Sequence, residues 1–209
     1  MSDRTAALVG IAGCILFWVS LFLFGAMRPE YSQQTKAVSE LGVFGAPHSL
    51  LWNLIGFIAP GLCLALSGGA IARSVERTQR RSVSYWLLVA SGLGFAATGI
   101  IPAEMRDGSP ALDSPYTIGH IIMTFISAVP WIVATFLMVS RMKRNVDWRI
   151  VSNVNLALGF AAIACFGLRV TTILPGVAQR ISFAVYFAWF CIMSIHLLRV
   201  QRSAHRAAA

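Results

Sequence analysis

Three ionisable residues have the most chemistry to offer: Glu40, His120 and Arg169. A carboxylate, an imidazole and a guanidinium supply acid–base groups and an anion clamp, the equipment needed to work on a charged head group. Glu104 is a further candidate acid, three residues before Asp107. His48 and His120 occupy matching places, each opening an apolar run. With Glu40, Glu104 and Asp107 near the same level, they are of the ligand types that a divalent metal takes. There is no HExxH and no tight ligand spacing, so no metal centre is predicted, and His48 and His120 would be its only weak ligands. Arg169, His48, Asn53 and Asp107 are the candidate ligand-binding residues. No nucleophile–base pair is recognisable, and no cofactor is implied.

Each of these residues also has a structural reading. Glu40 sits beside Leu41 and Val43, where a carboxylate needs a partner or its pKa rises. Lys36, one turn earlier, and Arg169 are the available partners. Arg169 lies inside the end of an apolar run, and ionisable groups within a span face the bundle interior and pair. Pairing with Glu40 or Glu104 is expected, with snorkelling to the surface as the alternative. Asp113 and Ser114 precede an apolar run as caps. Asn153 and Asn155 suit helix–helix hydrogen bonds.

The elements that position these residues are membrane spans. The 209 residues are 57% apolar and only 12% charged, against roughly a quarter charged in soluble domains. The mean hydropathy is +0.71. The apolar residues are parcelled into runs of about 20, the length that crosses a bilayer. Spans are predicted over 6–26, 49–72, 85–101, 118–139, 150–174 and 181–198, with 27–48 as a long outer loop. The fold class is all-α: one polytopic transmembrane bundle of six helices. The first run is too long for a signal core and is read as an anchor. Within the outer loop, Ser32–Leu41 has helical spacing, and Gly42, Gly45 and Pro47 force a turn. Pro60 and Pro130 fall mid-span and are expected to kink their helices. Gly92, Gly94 and Ala96, with Ser67, Gly68 and Gly69, allow close helix approach. Cys14, Cys63, Cys165 and Cys191 are scattered through apolar runs and read as small buried hydrophobes.

Charge sets the orientation. Twelve of the seventeen Lys and Arg fall on one side: Arg4, Arg73, Arg77, Arg80, Arg81, Arg141, Lys143, Arg144, Arg149, Arg199, Arg202 and Arg206. Arg28, Lys36, Arg106 and Arg180 fall on the other. The basic side is expected to be cytoplasmic, with both termini inside. The net charge of +9 sits in short loops that orient helices. No segment remains for a nucleic-acid-binding domain.

The run SELGVFGAPHSLLWNLIGFIAPGLCLAL resembles the signature of a bacterial multi-pass family, the domain of unknown function 998 family. The resemblance rests on Ser39, Glu40, Leu41 and Gly42, on the turn at Gly45 and Pro47, and on Asn53 in the following helix. Pro102, Glu104 and His120 resemble a second part of the pattern, and the likeness extends from about Val9 to Val200. It implies a bacterial plasma (inner) membrane location, strengthens the fold reading and points to Glu40 and His120. It supplies no reaction. Three functions follow as expectations. The first is binding of a lipid, a small amphiphile or a protein partner at the outer face. The second is an intramembrane enzyme acting on a lipid or isoprenoid head group through Glu40, His120 and Arg169. The third is a small transporter, weakened by the lack of internal repeats. Membrane lipids are the expected partners, with a homo-oligomer as a further possibility.

Overall fold

The computed structural model describes residues 1–78, 81–171 and 174–208, with the side chains of 166–171 and 204–208 left aside. The chain runs through α1 (Asp3–Ala26), a 3-10 turn (Val38–Leu41), α2 (Ser49–Trp52), a π-helical segment (Asn53–Ile58) and α3 (Ala59–Glu76). It continues through α4 (Val83–Ile100), the strands β1 (Met105–Arg106) and β2 (Ser109–Pro110), α5 (Pro115–Arg144), a second 3-10 turn (Arg149–Val151), α6 (Ser152–Thr171) and α7 (Pro175–Ala208). Among the described residues, five helical stretches are long and apolar enough to cross a membrane: Asp3–Ala26, Ser49–Glu76, Val83–Ile100, Pro115–Arg144 and Pro175–Ser203. The 20-residue α6 packs against α5 and α7. Contacts of α1 with α3 and α7, of α3 with α4, and of α4 with α5 join the helices into one bundle.

The helices outrun their apolar cores because polar and proline residues start them early. The Ser2 hydroxyl accepts from the Thr5 N–H, and the Ser82 hydroxyl accepts from the Tyr85 N–H. Pro115 and Pro175 open α5 and α7, where proline loses no needed hydrogen bond. The start of the last span thus moves from the expected Ile181 back to Pro175, which brings Gln179 and Arg180 into a helix. Pro60 acts through a local device. It would clash with the carbonyl of Gly56 in a regular helix, and the chain widens into the π-helical segment just before it. Pro130 lies inside α5, which continues across it.

Small residues set the closest packing. A Cβ on Gly61 would lie 2.4 Å from the Ala96 backbone N, and one on Gly92 would lie 2.3 Å from the Ala65 backbone N. Gly61 and Ala65 on α3 therefore mesh with Gly92 and Ala96 on α4, a small-xxx-small contact on both helices. The axis of the bundle is aromatic. Phe17 stacks on Phe187 with centroids 4.2 Å apart, and Phe95 stacks on Tyr186 at 5.8 Å. Asn155 donates to the Thr135 carbonyl at 2.8 Å and accepts from the Trp189 indole at 2.8 Å. Asn153, by contrast, is exposed.

Ion pairs and a hydrogen bond gather four segments at one end. Arg73 meets Asp3 at 3.4 Å, Arg77 meets Asp147 at 3.0 Å, and Arg141 meets Glu76. His196 Nε2 donates to the Asp147 carbonyl at 2.6 Å. The start of α1, the α3–α4 and α5–α6 connections and the later part of α7 therefore lie together. The long loop and the β-hairpin occupy the opposite end.

Gly92→Val would drive α3 and α4 apart. The expected loss is about 3 kcal/mol or more, read as a lowered midpoint of unfolding in detergent. A wild-type midpoint would refute the close approach.

Candidate functional site

The long loop after α1 is held by α7. Only Val38–Leu41 of the expected Ser32–Leu41 helix is helical, as one 3-10 turn. The rest is shaped by side chains that take its backbone groups. Arg180 Nη1 donates to the Lys36 carbonyl at 3.0 Å and to the Gly176 carbonyl at 2.9 Å. Its Nε donates to Gln33 Oε1 at 2.8 Å, and its Nη2 donates to the Tyr31 hydroxyl at 2.7 Å. That hydroxyl donates onward to the Ala37 carbonyl at 3.0 Å. Burial pushes the Tyr31 phenol up, against the pull of the Arg180 cation. Gln179 accepts from the Val38 N–H.

Glu40 is a fastening of this loop. Its Oε1 accepts from the Ala37 N–H at 2.7 Å, and its Oε2 lies 3.3 Å from Lys36 Nζ. Of the two partners expected for it, Lys36 is engaged. The side chain of Arg169 lies outside the described residues, and so does any pairing it makes. Glu104 pairs with Arg106 at 3.3 Å, and Arg106 also meets Asp113 at 2.7 Å. The bond from Arg106 holds the Asp113 carboxyl below its ordinary value. Asp113 therefore serves the hairpin and not a helix cap. Ser114 takes the N-cap position of α5 without a side-chain cap bond.

His120 faces the end of α4. Its Nδ1 lies 3.1 Å from the Thr98 carbonyl and 2.9 Å from the Ile101 carbonyl. Carbonyl oxygens only accept, so Nδ1 carries the proton. These are among the carbonyls that a helix C-terminus leaves without an intrahelical partner. In the neutral ring, Nε2 then has the lone pair.

Two neighbouring chambers lie beside His120. The inner one, about 70 Å³, is walled by Phe57, Phe95, Trp131 and Phe183. The second, about 350 Å³, lies toward the loop and hairpin, against Ala103, Leu112, Ile121 and Phe125. Ser39, His120, Thr124 and Gln179 line both and form a polar collar between apolar walls. Ile121 and Phe125 are exposed on the outside of the bundle, so the second chamber reaches the bundle's apolar exterior. At the floor, the Ser91 hydroxyl donates to the Ser127 carbonyl at 2.6 Å and accepts from the Tyr186 hydroxyl at 2.8 Å. The Trp131 indole N–H is buried without an acceptor among the described residues, a costly state for a donor.

The remaining candidates stand apart from this collar. His48 is exposed in a left-handed conformation at φ 59°, and lines neither chamber. It is not brought to His120, and no cluster of three metal-ligating side chains exists among the described residues. Asn53 donates to the Gly42 carbonyl at 2.9 Å. A Cβ on Gly42 would fall 2.0 Å from Asn53 Oδ1, so this contact explains both residues of the resemblance. Asp107 and Gly108 have φ of 49° and 77° and form the tight turn of the hairpin, as Asp-Gly favours. Gln179 and Arg180 were not singled out as site residues by sequence reasoning, and Ser39 entered only through the family resemblance. The helix-start signal of Pro175 was the available clue to the first two.

A family model described as Protein of unknown function (DUF998) matches residues 11–196. No curated protein and no solved structure matches the chain.

Arg180→Ala removes charge-assisted bonds worth about 1.5–3 kcal/mol each. Hydrogen exchange of the Lys36–Leu41 amides is expected to accelerate by about 10- to 100-fold, with exchange in α3 and α4 unchanged. Unaltered loop exchange would show that Arg180 does not hold it.

Proposed function

The chain belongs to the DUF998 family, and we propose that it takes a lipid or small amphiphile into the chambers beside His120. The carrying observation is the polar collar of Ser39, His120, Thr124 and Gln179 set between two apolar chambers. Ligand sites are mostly apolar with a few convergent polar groups that fix orientation. A head group with hydroxyls or amides meets donors and acceptors at the collar, while an apolar tail lies along the chamber walls. Entry is lateral, past Ile121 and Phe125, as suits a ligand already dissolved in lipid.

The chain is a multi-pass membrane protein. We assign six spans to it, with the arginine-rich end in the cytoplasm, both termini there, and the collar toward the opposite face of a bacterial inner membrane. The charge asymmetry of the loops supports this orientation. Acid–base chemistry through Glu40, His120 and Arg169 has less in its favour. Both oxygens of Glu40 are engaged within its own loop, and Ser39, not Glu40, lines the chambers. The stacked aromatic axis at Phe17 and Phe187 favours a binder over a conduit. A protein partner would need no such internal collar.

Ala128 lines the inner chamber, and Ala128→Leu fills part of it at a stability cost of about 1–3 kcal/mol. Native mass spectrometry of protein purified in mild detergent is expected to show a co-purifying amphiphile. In the folded Ala128→Leu protein its occupancy should fall about ten-fold. No bound amphiphile in the wild type, or equal occupancy in the variant, would sink the reading.

A further inference from the structure

A second lipid-contacting feature lies at the other end of the bundle. Between the start of α1, α3 and α4 runs a groove of about 890 Å³. Leu62, Leu66 and Leu93 line it and are exposed. Arg73, Arg81 and Tyr85 close its end. The two guanidiniums share one ring: Arg73 sits 5.5 Å and Arg81 5.9 Å from the centroid of Tyr85. Arg81 also lies 5.3 Å from the Trp86 ring. The Tyr85 ring lies against α3 because Gly69 has no Cβ; one there would be 2.7 Å from the ring.

Charge and length point to the same occupant. Asp3 also lines the groove and meets Arg73 at 3.4 Å. Arg81 has no carboxylate within ion-pair distance among the described residues, and is exposed. The groove end therefore keeps a net positive charge that favours an anion. From Leu62 to Arg73, α3 rises by about 16 Å at 1.5 Å per residue. That is half of a hydrocarbon core of about 30 Å, the depth of one leaflet. A soluble anion would use the guanidiniums but not the leucines beneath them. We propose that this groove is a binding site for an anionic phospholipid of the leaflet at the arginine-rich end. Arg81 and Arg73 hold the phosphate, and an acyl chain lies along Leu66, Leu62 and Leu93. The site is independent of the collar beside His120.

The test uses the full chain in nanodiscs of mixed phosphatidylglycerol and phosphatidylcholine, with retained lipids counted by native mass spectrometry. Phosphatidylglycerol should be retained preferentially, and Arg81→Gln should lower that preference about five-fold, the worth of one arginine near an anionic lipid surface. Arg81 touches only exposed or half-buried rings, so this variant keeps the fold. Arg73→Gln with Arg81→Gln should abolish the preference. Arg149→Gln, at the same end but outside the groove, should leave it intact. Equal retention of the two lipids by the wild type would overturn the proposal. So would an Arg81→Gln protein with wild-type preference, or an Arg149→Gln loss as large as that of Arg81→Gln.

Discussion

Lipid offers no hydrogen-bond partner to a peptide group, and this single constraint organises the polar residues of the bundle. Wherever the backbone leaves a helix near or inside the hydrocarbon, the protein must answer its N–H and C=O groups itself. His120 answers Thr98 and Ile101 at the end of α4. Asn53 answers Gly42, Arg180 answers Lys36 and Gly176, and Gln179 answers Val38. At the opposite end, Asn145 answers Ser74 and Val75 at 3.2 and 2.9 Å. Several residues that look chemical by type are thus engaged in finishing the backbone.

The same constraint explains what was legible in the sequence. Bilayer-length apolar runs and loop arginines are direct consequences of the solvent, so a bundle of long apolar helices could be read from them. The Asp107–Gly108 turn has an equally local cause, because only some residue types tolerate positive φ. The Lys36–Glu40 pair was legible from its spacing of one helical turn. The collar was not. Its members come from the long loop, α5 and α7, and nothing local relates Ser39 to Gln179. Treating 175–180 as a connection hid two loop fastenings inside what is helix. The π-helical widening before Pro60 was likewise out of reach, since a kink and a π-bulge are alternative solutions to the same steric clash. Glu40 shows how residue type and neighbours combine: an acid at a membrane boundary draws attention as chemistry, and here its carboxylate closes a turn.

The two ends of the bundle meet the membrane in different ways. At the loop end, cations are engaged with the protein: Arg180 lies within the loop, and Arg106 lies between two carboxylates. At the other end, Arg73 and Arg81 face a groove on the outside of the helices. A cation enclosed by carbonyls and carboxylates builds structure, whereas one beside an exposed apolar surface remains available to a lipid. That difference depends on neighbours, so a count of basic residues per loop orients the chain without saying what each cation does.

Among the residues that finish the backbone, His120 also lines the chambers. Asn53 and Arg180 are turned toward the chain segments they hold. His120 meets both carbonyls through Nδ1 alone, while its ring lines both chambers. The carbonyls also fix the tautomer, since two acceptors at Nδ1 require the proton there. The imidazole is therefore oriented by the end of α4, much as a hydrogen bond to one ring nitrogen orients a ligating histidine. Anchoring the backbone and lining a chamber are thus compatible roles of one side chain. The carboxylate of Glu40 is held in the same way, with both oxygens engaged in its loop.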